Sequence, residues 1–340
     1  MFILGIETSC DETAASVVKN GRLVLSNVVS SSLRYHRRFG GVIPEIATRH
    51  HVENIDRVIF RSLHEAGLQI EDIDAIAVTQ GPGLVGALLS GISCAKAMAY
   101  SLDIPLIAVD HLKAHVYSAL MQERRVRFPF IGLVISGGHT RLSLVEDFDV
   151  FKVLGDTLDD AIGEAYDKVA KILGLGYPGG PVIDRLAKKG NPHAVRFICR
   201  PINGSLDFSF SGIKTAVLYY VKDNGSRPVR NRRFSYGARI TDHETRNISA
   251  SFQEAALSVI VKNSIKAMEK YKIKTLVIGG GVSANSRFRE MITRESMFRG
   301  FKAYFPPIDL CSDNAVMVAG VAYRLYKKGI ESGLDITAAL

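Results

Sequence analysis

Cysteine is scarce: four residues, at positions 10, 94, 199 and 311, are spread over a chain of 340. That spacing excludes a disulfide-stapled scaffold and a Cys-x-x-Cys metal knuckle, and it fits a reducing compartment, with the cytoplasm expected. Long hydrophobic runs are scarce as well. The first residues, MFILGIETSCDE, hold an apolar stretch of five with no basic leader, which reads as a first β-strand and not as a signal peptide. The longest uncharged run, residues 75–95, is interrupted by Gln80-Gly81-Pro82-Gly83, so strand, glycine loop and buried helix describe it better than a membrane span. No GxxxxGK(S/T) and no complete GxGxxG occur, which removes the P-loop and dinucleotide readings.

What is present describes an ordinary globular chain: 47% hydrophobic and 23% charged residues. A length of 340 residues favours two domains over one core. The net charge of +9 points to an acidic partner, nucleic acid first, with a solvated basic surface as the plainer reading.

Two halves of the chain carry the same order of elements. In the first, strands flank the turn dipeptide Asn20-Gly21, a helix covers about 45–66, and a strand at 75–79 leads through a glycine loop into helix 86–102. Strand 105–109 then leads into a helix opening HLKAH. The second half begins with strands 130–136 and 139–145 around Gly137-Gly138, followed by helical segments at 157–173, 181–189 and 248–270. Strand 275–278, a Gly-Gly-Gly loop, a helix, strand 303–305, the loop PPIDLCSD and a helix at 313–328 complete it. The expected fold is α/β, with two similar lobes meeting at a ligand cleft. The expected lobes are 1–128, with 316–340 packing back on it, and 129–315.

His111 and His115 stand four apart at a helix start, which puts both imidazoles on one face about 6 Å apart, suited to one metal ion. A solvated or core pair is the alternative. A zinc protease would need Glu after the first His, and Leu112 stands there. The repeat nominates the loop holding Cys311, Asp313 and Asn314 for a third ligand, although Asp313 could equally cap the last helix. The glycine loops 137–138, 179–180 and 279–281 suit phosphate or nucleotide oxygens, and each also suits a tight turn. Asp11 and Glu12 lie in the first hairpin turn; Asp167 and Asp184 lie on successive helices. Residues 226–239 hold five arginines with Phe234 and Tyr236, a composition suited to RNA or to solvent. Segments 33–41 (LRYHRRFGG) and 123–127 add basic clusters.

Taken together, GIETSCDETAASVV, GGVIPEIATRHH, TQGPGLVGALLSG, DHLKAH, LVISGGHT, GEAYDKVAKILGLGYPGGP, FSFSGIKT, GGGVSANSRFR and CSDNAVMVA resemble the bacterial branch of the tRNA N6-adenosine threonylcarbamoyltransferase (TsaD) family, formerly classed as O-sialoglycoprotein endopeptidases. The resemblance implies a two-lobed actin-like ATPase (ASKHA) fold. It also implies transfer of threonylcarbamoyl from threonylcarbamoyl-AMP to the N6 amine of adenosine 37 in tRNAs reading codons that begin with A, with AMP released. Carried over by position, the metal ligands are His111, His115 and Asp313, with iron (Fe2+) first and zinc second. The substrate-binding residues fall on Val134, Ile135, Ser136, Gly137, Gly138, Asp167, Gly180, Asp184 and Asn285. Asp11 and Glu12 are expected to align the phosphoryl end or take a proton late in the reaction. The implied partners are tRNA, a TsaB paralogue and a TsaE ATPase, with TsaC supplying the adenylate and no membrane involved. The link 222–247 departs from the family pattern through its arginine-rich stretch, so an RNA role for that stretch is not inherited. A small-molecule kinase of the same fold and a non-catalytic scaffold paralogue are the rival readings.

Overall fold

The computed structural model of the chain describes residues 1–121, 123, 126–224 and 241–339. The arginine-rich stretch 226–239 lies outside the described residues. A first sheet contains β1 (Phe2–Glu7), β2 (Glu12–Lys19), β3 (Leu23–Val24), β4 (Val28–Ser31), β5 (Ala75–Gly81) and β6 (Leu106–Asp110). Its order is β3-β2-β1-β5-β6, with β4 also paired to β2. The hairpin turn between β2 and β3 holds Asn20 and Gly21 at φ +52° and +68°, the left-handed pair that its Asn-Gly dipeptide predicts. Between strands lie α1 (Leu33–His36), α2 (Pro44–Ala66) and α3 (Val85–Leu102). Pro44 opens α2 and Gly67 closes it at φ +68°.

After α4 (His111–Ser118) comes a second sheet of β7 (Phe130–Ile135), β8 (Thr140–Val145), β9 (Phe151–Asp156), β10 (Thr275–Gly279) and β11 (Lys302–Tyr304), in the order β11-β10-β7-β8-β9. The two sheets have one plan. In each, an antiparallel pair (β1 with β2, β7 with β8) leads into parallel neighbours (β1-β5-β6, β7-β10-β11). The repeat read in the sequence is thus a repeat of sheet topology. The remaining helices are α5 (Ile162–Ile172), α6 (Gly179–Ala187), α7 (Ser211–Asn224), α8 (Asp242–Tyr271), α9 (Ser286–Arg299) and α10 (Ala315–Lys327).

Several elements differ from the sequence reading; the helix expected from 157 begins at Ile162. Helix α4, opened by HLKAH, is short and stops at Ser118. Helix α8 begins six residues earlier than its apolar pattern, because Thr241 and Glu244 form a capping box that carries the polar first turn. Strand β9 was not expected: its residues are mostly exposed or half-buried without an inside-outside alternation, so the sequence shows no apolar period there.

Helix α10 joins the halves. Its residues from Ala315 to Ala322 are all buried, and a β-carbon on Gly5 of β1 would come within 2.4 Å of the Ala315 carbonyl. One apolar cluster contains α4 and α10 residues together with Phe130 and Val134 of β7 and Val277 of β10, so the helix that carries the histidine pair is wedged between the sheets. Among the described residues, α3 is the one helix long and apolar enough by composition to cross a membrane, and its Ala87, Leu88, Ile92 and Ala95 are buried in the first lobe's core.

Candidate active site

Strand β6 runs directly into α4, and the Asp110 side chain accepts from the Lys113 N–H at 2.9 Å, which fixes His111 as the first helical residue. The i, i+4 spacing then brings the His111 and His115 rings to 4.5 Å between centroids. Asp313 arrives from the loop before α10. Its Oδ1 lies 3.0 Å from His115 Nε2 and 3.6 Å from His111 Nε2. Asn314, not Asp313, caps α10, accepting from the Met317 N–H at 3.0 Å, so the Asp313 carboxylate is not taken up by a cap. One donor atom from each of His111, His115 and Asp313 lies within 4.8 Å of the others.

Several observations fit this group to a metal ion. His115 Nε2 is buried and lacks an aligned hydrogen bond, although the carboxylate oxygen is 3.0 Å away. Behind His111 stands Glu7, fully buried at the end of β1, with Oε2 3.2 Å from His111 Nδ1. The Ser9 N–H donates to its Oε1 at 2.5 Å and the Thr79 hydroxyl to its Oε2 at 2.5 Å. A carboxylate on one imidazole nitrogen, with the other nitrogen turned into the site, is how proteins orient a metal-binding histidine. Burial would lower the His111 pKa, but the Glu7 and Asp313 carboxylates outweigh it and raise it to about 9. The same histidines hold the Asp313 carboxyl well below the usual carboxylate range against the opposing effect of burial. A buried carboxylate, Glu7, and a half-buried one, Asp313, around one imidazole make a place that favours a positive charge, which a divalent ion would supply. His139 lies 6.3 Å from His111 by ring centroid; burial and then the charge on His111 lower its pKa to about 4.

The second sheet closes on this group through glycine. A β-carbon on Gly279 would fall 2.1 Å from the His115 carbonyl, and Gly280, at φ +91°, would strike the Ile135 carbonyl at 2.4 Å. Val134 and Ile135 are core residues of β7, so only their backbone can meet a ligand. Gly137 and Gly138 lie in open space just beyond them, and the Ser136 carbonyl accepts from the Gly163 N–H of α5 at 3.1 Å. Gly180 is open on its α-carbon as well.

Glu12 starts β2 on the first-lobe side, and Asp11 directly precedes it. Burial, then the charges of Asp11 and Asp313, raise the Glu12 carboxyl well above the usual range. From the second lobe, Tyr177 and Asp167 sense Asp11 electrostatically, so these groups share one cleft. Asp167 accepts from the Gly179 N–H at 2.7 Å, yet burial, reinforced by Asp11 and Glu164, raises its pKa to about 6. Because the folded state holds this proton more tightly, the associated stability is complete below the unfolded pKa near 4 and is lost as pH rises through about 6. Asp167→Asn keeps an acceptor for Gly179 and removes the charge. It should therefore gain about 2 kcal/mol over the native chain between pH 4 and pH 7.5 in denaturant titrations; a pH-independent difference would contradict this.

Asp184 and Asn285 are engaged in structure. Asp184 accepts from the Ser286 hydroxyl at 2.9 Å. Asn285 caps α9 through the Phe288 N–H and donates to Gln253 at 2.8 Å, beside the Tyr166 hydroxyl. Both shape the loop after Gly281 from within. Sequence reasoning missed Glu7, Ser9, His139 and Tyr177. Glu7 had a signal: a lone carboxylate in an apolar strand has to be paired.

The tRNA N6-adenosine threonylcarbamoyltransferase family model matches residues 23–320. Proteins of that name from Syntrophus aciditrophicus and Dictyoglomus turgidum are 47% and 48% identical to the chain, each over 99% of it and over 96% and 97% of their own lengths. Among solved structures, component A of the Acidaminococcus fermentans (R)-2-hydroxyglutaryl-CoA dehydratase aligns at 16% identity with a TM-score of 0.55, covering 96% of this chain and 98% of that one. Full-length HypF in its phosphate- and nucleotide-bound form aligns at 14% identity with a TM-score of 0.59, over 96% of this chain and 56% of that one. These two likenesses establish the fold, the two-lobed actin-like ATPase (ASKHA) architecture.

Proposed function

Because the chain belongs to the tRNA N6-adenosine threonylcarbamoyltransferase family, we propose that His111, His115 and Asp313 hold one divalent metal ion beside which that transfer takes place. The protein is a transferase that modifies tRNA, placing a threonylcarbamoyl group on the N6 amine of an adenosine. On our reading the target is adenosine 37 of tRNAs that decode codons beginning with A, the donor is threonylcarbamoyl-AMP, and AMP leaves. The observation that carries the site is the meeting of two imidazoles and a carboxylate, drawn from the two halves of the chain, next to open glycine loops.

The adenosine amine attacks the carbamoyl carbon, the bond to the phosphate oxygen breaks, and one amine proton must leave. An exocyclic amine is a weak nucleophile, so holding the reactants in line matters more than prior deprotonation. The backbone of Val134, Ile135, Ser136, Gly137 and Gly138, with Gly180, lines the side of the cleft where the adenylate would lie; Asp167, Asp184 and Asn285 fix the shape of that side. When bound, the metal supplies Lewis acidity at the carbonyl under attack. Two imidazoles and a carboxylate suit iron (Fe2+) first and zinc second. Asp11 and Glu12 stand close enough to Asp313 to sense its charge at Glu12, and they are our candidates for aligning the phosphoryl end or taking the amine proton late.

The lobes we assign are 1–128, with 316–340 packed back on it, and 129–315; the seating of α10 on β1 and α4 supports this division. Partners of the TsaB and TsaE kinds, with TsaC supplying the adenylate, fit the outward faces of α2 and α3, where Phe60, Val85, Leu89 and Tyr100 are exposed. Free thiols at all four cysteines support a cytoplasmic location. The test is nucleoside analysis of tRNA incubated with the chain, its partners, threonine, bicarbonate and ATP. Threonylcarbamoyladenosine is expected; phosphorylation of a small molecule without modified nucleoside would favour the kinase reading.

A further inference from the structure

We propose that residues 33–41, with the cavity beside them, dock the single-stranded RNA that flanks the target adenosine; this rests on the transferase reading above. The segment leaves β4 at the edge of the reacting groups. The Ser31 hydroxyl donates to Glu12 Oε1 at 3.4 Å, and the Ser32 N–H and hydroxyl both donate to the Asp11 carbonyl at 2.9 Å. Its base is fastened from within by the fully buried His36, whose Nε2 lies 2.8 Å from the Ser32 hydroxyl and whose Nδ1 accepts from the Ile43 N–H at 3.2 Å. With His36 turned in, Arg34, Tyr35, Arg37, Arg38 and Phe39 are all exposed. At the far end, Gly40 faces the Lys171 side chain of α5, so the segment reaches the second lobe across the mouth of the cleft.

Its chemistry is that of a nucleic-acid surface. The Arg34 guanidinium sits 4.5 Å from the Tyr35 ring centre and that of Arg38 sits 4.7 Å from the Phe39 ring centre, two exposed cation–aromatic pairs. The arginine ion pairs among the described residues belong to Arg61, Arg141, Arg287, Arg294 and Arg299, which leaves these cations available to phosphates. Behind the segment, a cavity of about 590 Å³ is lined by Arg34, Tyr35, Asn54, Glu53 and Arg57 among others. It offers two guanidiniums for a phosphate, a ring for stacking, and an amide and a carboxylate for a base edge. Volumes of this class hold small molecules the size of a nucleotide. An adenosine whose amine must enter the cleft has to leave its stack, and holding its neighbours at the mouth offsets that cost.

The experiment is fluorescence anisotropy of a labelled anticodon stem-loop RNA with the full chain, from low to moderate salt. Arg34→Ser/Arg37→Ser/Arg38→Ser should weaken binding at least about tenfold and flatten the slope of log affinity against log salt by about 2, three phosphate contacts at about 0.7 each. Replacing the same three residues by lysine should keep the slope. Tyr35→Ala should cost about tenfold with the slope unchanged, the mark of lost stacking. A native chain that forms no modified adenosine with its partners would sink the transferase reading itself. If it modifies tRNA while the serine variant and Tyr35→Ala both bind RNA as the native chain does, the docking surface alone is refuted. Loss of a protein partner with RNA affinity intact would refute it as well.

Discussion

Replacing His115 by alanine is expected to abolish stoichiometric metal binding and to slow adenosine modification by at least about a thousandfold, the scale of a lost electrostatic contribution at a reacting carbonyl. The ring is fully buried, its Nε2 has no aligned hydrogen bond, and its nearest acceptor is the Asp313 oxygen that shares the site. Excising it also leaves a cavity, at a cost of about 2–4 kcal/mol. Metal per mole of folded protein is therefore the primary readout, and rate is the second. A variant that retains one metal ion and works within tenfold of the native rate would remove His115 from the site.

The second large effect belongs to a residue that touches no substrate. Glu7→Ala would strand three groups at once, the His111 Nδ1, the Ser9 N–H and the Thr79 hydroxyl, inside a site with no exposure. Breaking a buried charge arrangement of this kind costs about 3–5 kcal/mol. Losing the carboxylate that orients a liganding imidazole weakens metal affinity about 10–100-fold. Glu7→Gln preserves volume and one acceptor, so it should fold better than Glu7→Ala and still bind metal more weakly than the native chain. If the glutamine variant melts lower but binds metal with native affinity, Glu7 is structural only.

These two residues show what a sequence can and cannot disclose here. His115 was legible because helical spacing alone places it with His111, and the repeat of elements pointed to the loop of Asp313 from the far end of the chain. What spacing could not decide was whether Asp313 is cap or ligand, since both uses begin with Asp before a helix; Asn314, one residue on, takes the cap and leaves the Asp313 carboxylate beside the two histidines. Glu7 was hidden because its partner lies 104 residues away and appears only when β1 and β6 come to rest on either side of β5. The hydrogen bonds of Asp184 and Asn285 to Ser286, Phe288 and Gln253 could not be read ahead, because they depend on how α6, α8 and α9 pack. Strand β9 escaped because this edge strand, mostly exposed or half-buried, leaves no period in the sequence. The duplicated topology was legible, because hairpin, glycine loop and helix recur in order and each is set by local chemistry.

The most direct test pairs two readouts on one protein: elemental analysis, and nucleoside analysis of tRNA incubated with threonylcarbamoyl-AMP and partner proteins, for the native chain and for Asp313→Ala. The account predicts about one iron or zinc ion per native chain with threonylcarbamoyladenosine formed, and loss of both together in the variant. Modified adenosine made at the native rate by an Asp313→Ala protein that carries no metal would contradict it.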